Sequence, residues 1–351
     1  MTNNVKNNTV LRVPAEWEPY DAVMIAWPHE GTDWASMLDE VESCYRNLAK
    51  AIVVDSGLRL VVVTPDAARI RGQLGDLPAD QVLVFETETN DTWVRDYGPI
   101  TMEVEGKPSI VDFQFNGWGL KFAANLDNMV NLRMVNAGLL TRDYRPALGF
   151  VFEGGSMESD GAGTMLTTSE CLLSLNRNGA VTKEQLSDYF NRTIGMSRVL
   201  FLDHGHLDGD DTDSHIDTLA RFAPEDTILY VKSYNPADSH ANELNLMEEE
   251  LKRLKTIEGN PYNLIALPLP DPIYDEDGNR LPATYANFLI TPQTVLMPVY
   301  GQPDNDRLAR QMLAVAFHDR EIVTVDCRAL IRQHGSLHCA TMQLPAGILR
   351  V

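Results

Sequence analysis

Short apolar runs alternate with longer amphipathic stretches along nearly the whole chain, and this alternation restricts the fold more than any other feature. Residues 22–27, 58–64, 82–86, 109–113, 164–167, 198–201, 227–231, 263–266, 294–297 and 321–325 are rich in Val, Ile, Leu and Phe. Gly, Pro, Asp and Asn bound them, the pattern of strands. Residues 34–54, 67–74, 128–137, 183–191, 241–254 and 305–317 repeat apolar side chains at helical spacing, with Asp66 and Thr182 placed as N-caps. Such alternation predicts an α/β fold. No low-complexity linker interrupts it, and the most polar break, 270–282, carries turn chemistry throughout. One domain over 1–351 is expected. No repeat is visible by residue identity.

Charge narrows the function classes. The chain has 50 acidic against 29 basic residues, a formal net charge of −21. That balance argues against nucleic acid, whose phosphates call for a surplus of Lys and Arg. It suits a cationic small molecule, and equally a surface that only serves solubility. No run approaches the roughly 18 apolar residues of a membrane helix, and residues 1–9 are polar with no leader pattern. The glycosylation triplets at Asn7, Asn90 and Asn191 are then chance matches. Four cysteines in 351 residues make no disulfide framework. A reduced, cytoplasmic protein is expected, with a homodimer as the commonest assembly.

Polar residues with chemical potential gather in Gly-rich, turn-prone segments. NDTWVRDYGP (90–99) sets Asp96 beside Trp93 and Tyr97, a carboxylate and π-faces of the kind a planar cation needs; a capped turn with an aromatic anchor reads the same way. Glu153 leaves an apolar run into two glycines (FEGGS), yet neither the phosphate-binding nor the nucleophile-elbow pattern is completed. HGHLDGDDTDSHIDTLAR (204–221) invites a metal or calcium reading, but the EF-hand spacing and HExxH both fail. His215 and Asp217, two apart, would share one face of a strand. NGWGL places Trp118 between glycines. Cys44, Cys171 and Cys327 lie in core-like apolar settings and read as inert. Cys339, in HGSLHCATMQLPAG, sits in a polar loop.

Taken in order, NDTWVRDYGP, NGWG, EGGS, CLLSLNRN, DTDSHID with Arg221 after it, and GSLHCATMQLP closely resemble the agmatine deiminase family, also called the bacterial-type peptidyl-arginine deiminase family. The opening PAEWEPYDAVMIAWP is similar too, so the likeness spans about 14–345. It implies the pentein fold, a five-bladed α/β propeller of ββαβ-like units with pseudo-fivefold symmetry, and no metal or organic cofactor. It implies Cys339 as nucleophile, His215 as general acid/base, Asp96 and Asp217 as guanidinium ligands, and Glu153 as a further acid near the histidine. Trp93 and Trp118 match aromatic positions near the substrate. Ser214 stands where a Gly is expected, which puts the local backbone in question.

The implied reaction is hydrolysis of agmatine to N-carbamoylputrescine and ammonia through a covalent thiouronium. Free arginine or peptidyl-arginine is the nearest alternative substrate. Arginine's α-carboxylate would ask for a Lys or Arg that the sequence does not locate. An amidinotransferase, a metal-binding module and a cysteine peptidase are the more distant readings.

Overall fold

The computed structural model describes residues 9–350; the Asn7 triplet and most of the polar stretch 1–9 lie outside the described residues. Five sheets repeat one connectivity. A first strand pairs antiparallel with a middle strand, a helix crosses over, and a last strand pairs parallel with the middle one. Ile100–Val104, Lys107–Gln114, helix Val130–Asn136 and Tyr144–Val151 form one such unit. Glu158–Ser159, Thr164–Thr168, helix Lys183–Ile194 and Arg198–Leu202 form the next. Ala220–Ala223, Thr227–Lys232, helix Ala241–Arg253 and Asn263–Pro268 follow. Then come Leu289–Ile290, Thr294–Val299, helix Pro303–Ala316 and Glu321–Asp326. The remaining unit is joined from both ends of the chain. Met342–Pro345 lies antiparallel to Tyr20–Ala26, which pairs parallel with Arg59–Thr64 across helix Leu38–Lys50. This is the five-unit ββαβ pentein architecture that the resemblance implied.

Local sequence explains the elements. The middle strands are buried on both faces and read as continuous apolar runs; Thr227–Val231 is buried throughout. Asp66 accepts the Arg69 N–H at the start of helix Ala67–Gln73, and Thr182 and Gln185 form a capping box before Lys183–Ile194. The first strands escaped the sequence reading because they are two to five residues long, too short for an alternation to register. The parallel pairs, which need helical crossovers, are the part periodicity reveals, except Tyr144–Val151, a largely exposed or half-buried strand that the sequence reading also missed. No described helix is long and apolar enough to cross a membrane.

One buried carboxylate sets a pH dependence of stability. Asp127 is fully buried; its Oδ1 accepts the Asn90 and Asp91 N–H groups at 2.7 and 3.3 Å, and its Oδ2 has no partner. Burial outweighs those bonds and pushes its pKa up to about 7. The folded chain therefore keeps a proton that the unfolded chain releases near pH 4, so this group's contribution falls as pH rises from about 4 through about 7. Relative to the wild type, Asp127→Asn should gain melting temperature progressively between pH 5 and pH 8. Calorimetry giving the same difference at both pH values would refute the assignment.

Candidate active site

The same position recurs in every unit, just before the first strand. Asp96 precedes Ile100–Val104, Glu153 precedes Glu158–Ser159, Asp217 precedes Ala220–Ala223, Asn287 precedes Leu289–Ile290, and Cys339 precedes Met342–Pro345. All five are buried, and they meet around one small space. His215 joins them, but not from a strand: residues Ile216–Thr218 form a 3-10 turn and the strand begins only at Ala220. The expectation of a shared strand face is thus replaced by a turn. Asp213 and Ser214 both lie at left-handed φ, 63° and 62°, and turn the chain before His215. Such angles favour glycine, which accounts for the doubt attached to Ser214. Its hydroxyl donates to Glu170 Oε2 at 2.7 Å, an added tie that offsets part of the strain.

Asp96 is held by two donors. Trp118 Nε1 donates to its Oδ2 at 2.9 Å and the Gly155 N–H to its Oδ1 at 2.9 Å. Burial raises its pKa to about 6, with the His215 charge pulling the other way. Gly155 is required by space: a Cβ there would stand 2.6 Å from His215 Nδ1 and 2.8 Å from Asp96 Oδ1. Asp217 Oδ2 pairs with His338 Nδ1 at 2.7 Å, whereas its buried Oδ1 has no partner at all. Burial opposes its ionisation, but the hydrogen bond and charge of His338 keep its pKa low.

His215 is fully buried, and neither ring nitrogen makes a hydrogen bond. Nδ1 lies 3.5 Å from Asp96 Oδ1 and Nε2 3.7 Å from Glu153 Oε2. Burial alone would lower its pKa, yet Asp96, Cys171 and Glu153 raise it well above the usual imidazole range. Glu153 is fixed by Arg177, whose Nε donates to both carboxylate oxygens at 2.7 and 3.0 Å. Cys171, read as inert core, packs with its Sγ 3.7 Å from Glu153 Oε2; the apolar run around it hid a polar neighbour.

Cys339 Sγ accepts a hydrogen bond from Asn287 Nδ2 at 3.2 Å and lies 3.7 Å from Asp217 Oδ2. Asn287 Oδ1 in turn accepts the N–H groups of His338 and Cys339 at 2.9 and 3.3 Å. One amide thus fixes the loop and its sulfur together. Burial, then the charges of Asp217 and Asp96, push the thiol pKa well above the ordinary value. Behind the sulfur, His338 Nε2 meets Glu16 Oε2 at 2.7 Å and Arg221 at 3.1 Å, and Arg221 continues to Glu158. Asn287, Glu16, His338 and Arg177 were not singled out in the sequence as site residues. Asn287 holds the fourth of the five repeat positions.

A cavity with about 440 Å³ of empty space, open mouth included, leads to Cys339 and Asp96. Trp93, Trp118 and Phe122 wall it, Asp33, Asp91 and Asp211 line it further out, and no Lys or Arg does. Burial raises the Asp91 pKa to about 7, with Asp33 nearby adding to it.

Comparison with known proteins agrees with this geometry. The profile of the Porphyromonas-type peptidyl-arginine deiminases matches residues 12–345. A Porphyromonas gingivalis structure named "Putative Arginine Deiminase" is 48% identical, with TM-score 0.90 over 97% of this chain and 99% of that one. A C. jejuni agmatine deiminase variant with substrate bound is 34% identical, with TM-score 0.89 over 99% and 100%. The "Putative agmatine deiminase" of Legionella pneumophila strain Paris is 31% identical over 336 residues, 95% of each chain.

Proposed function

Because the chain belongs to the Porphyromonas-type peptidyl-arginine deiminase family, we propose for it the family's guanidine chemistry in one form, the hydrolysis of agmatine to N-carbamoylputrescine and ammonia. The observation that carries the reading is a thiol surrounded by buried carboxylates, one of which, Asp217, has an oxygen with no partner. An unpaired buried carboxylate is costly, and a buried cation with several N–H donors relieves it. A guanidinium is that cation: planar, protonated at every working pH, with donors in a fixed fork.

Asp96 and Asp217 hold the guanidinium by charge-assisted hydrogen bonds and bring its carbon to Cys339 Sγ. The incoming positive charge offsets the carboxylates that keep the sulfur protonated, and the proton is released as the thiolate forms. The thiolate attacks the carbon, giving a neutral tetrahedral adduct. His215, cationic at rest, gives its proton to one nitrogen, which leaves as ammonia, and a thiouronium remains on Cys339. Neutral His215 then takes a proton from water, and the oxygen bonds to the same carbon. The C–S bond breaks, the second water proton leaves with ammonia as ammonium, and the ureido product is released. Glu153, held by Arg177, orients His215 and stabilises its charged form.

Agmatine rather than arginine suits the outer cavity. Its far end is an ammonium, and Asp33, Asp91 and Asp211 line the cavity with no Lys or Arg among its walls, His334 beside Asp211 being the one basic side chain there. The α-carboxylate of free arginine would face the same acids and be repelled. Ammonia release should give a kcat/KM for agmatine at least ~10²-fold above that for free arginine or an arginine-containing peptide. Equal or higher activity on arginine or the peptide would refute the substrate assignment and leave the deiminase chemistry standing. A cytoplasmic homodimer fits this role: the four cysteines form no disulfide, and a twofold dimer is the commonest closed assembly.

A further inference from the structure

Glu153, Cys171 and His215 form a compact buried cluster on the far side of His215 from Cys339's loop. One ligand-type atom from each lies within 4.8 Å of the others. Glu153 Oε2 is 3.7 Å from Cys171 Sγ and 3.7 Å from His215 Nε2. A nitrogen–oxygen gap of that size is too long for a hydrogen bond, and the fully buried imidazole is left with both nitrogens unpartnered. The same spacing suits a shared ion. With two edges of 3.7 Å and a third of at most 4.8 Å, the point equidistant from the three atoms lies about 2.0–2.4 Å from each, close to the bond lengths zinc makes to carboxylate, imidazole and thiolate.

We propose that these three side chains bind a divalent transition-metal ion of the zinc type, and that the bound ion silences the enzyme. The donor set of thiolate, imidazole and carboxylate selects zinc, cobalt or copper over magnesium and calcium. Charge balances: binding displaces the Cys171 thiol proton and the His215 imidazolium proton while adding two positive charges. Glu153 Oε2 keeps a lone pair beside its bond to Arg177. Metal binding goes beyond the deiminase reading, whereas silencing rests on it, since an imidazole bound through Nε2 no longer forms the imidazolium that acts as the acid.

Cobalt(II) titration without substrate tests binding separately from function. The Cys339→Ala enzyme should develop a cobalt–thiolate absorption band in the near ultraviolet at one equivalent, and Cys339→Ala/Cys171→Ala should not. A band that needs Cys339, or no band in any variant, overturns the proposal. If the double variant fails to fold, as circular dichroism would reveal, zinc-edge anomalous diffraction on Cys339→Ala decides. A peak between Glu153, Cys171 and His215 is expected, and a peak elsewhere or none overturns it. Micromolar zinc should also lower ammonia release by the wild type at least ~10-fold, reversibly with EDTA; undiminished activity would refute the silencing.

Discussion

Cys339→Ala is expected to lower ammonia release from agmatine by ~10⁴-fold or more, with the fold intact. The sulfur lines the cavity 3.7 Å from Asp217 Oδ2 and is the proposed nucleophile, and removing a nucleophile that acts as a unit with its acid/base costs factors of this order. The substitution removes one buried atom, so loss of stability is not the source of the effect. Binding should survive it: Asp96, Asp217 and the aromatic walls are untouched. Calorimetric titration with agmatine is expected to give a dissociation constant within about tenfold of the wild-type KM. Substantial turnover by the alanine variant would displace Cys339 from the mechanism.

The second large effect is Asp96→Asn. Both Asp96 oxygens already accept a hydrogen bond, one from Trp118 and one from Gly155. An amide must turn its NH₂ toward one of those donors, so the variant loses a charge and gains a donor–donor conflict. Removing one partner of a buried charge pair costs about 3–5 kcal/mol, which at about 1.4 kcal/mol per decade is a ~10²–10⁴-fold drop in kcat/KM. Because Asp96 also raises the His215 pKa and the first step needs His215 cationic, the alkaline limb of the kcat profile should move to lower pH as KM rises. A change in stability alone, with kcat/KM intact, would refute the clamp.

Much of this site was legible before the fold was known, and the reason is local. Asp96, Glu153, His215, Asp217 and Cys339 stand in turn-rich segments whose chemistry is out of place for ordinary loops, and the order of those segments carried the family resemblance. The supporting residues were hidden for a physical reason. His338 and Glu16 are 322 positions apart and meet through one hydrogen bond, which no window of sequence can encode. Asn287 lies in ATYANFLI, an apolar stretch where a lone amide reads as incidental. The fivefold repeat was equally invisible. Its equivalent positions hold Asp, Glu, Asp, Asn and Cys, so geometry is repeated while side-chain identity is not. Strand–helix periodicity revealed the parallel strands of the units except Tyr144–Val151, whose residues are exposed or half-buried up to Val151, and missed the short antiparallel strands that follow the site residues.

The strand Met342–Pro345, directly after Cys339, the proposed nucleophile, is also the piece that pairs with Tyr20–Ala26. Assembly of the catalyst is therefore coupled to joining the two ends of the chain. A nascent polypeptide that has completed four units has both carboxylate clamps and the histidine, yet no nucleophile. Local opening of that one seam, far short of unfolding, would withdraw Cys339 from its partners. The clasp of the ring and the on-switch of the chemistry are one short strand.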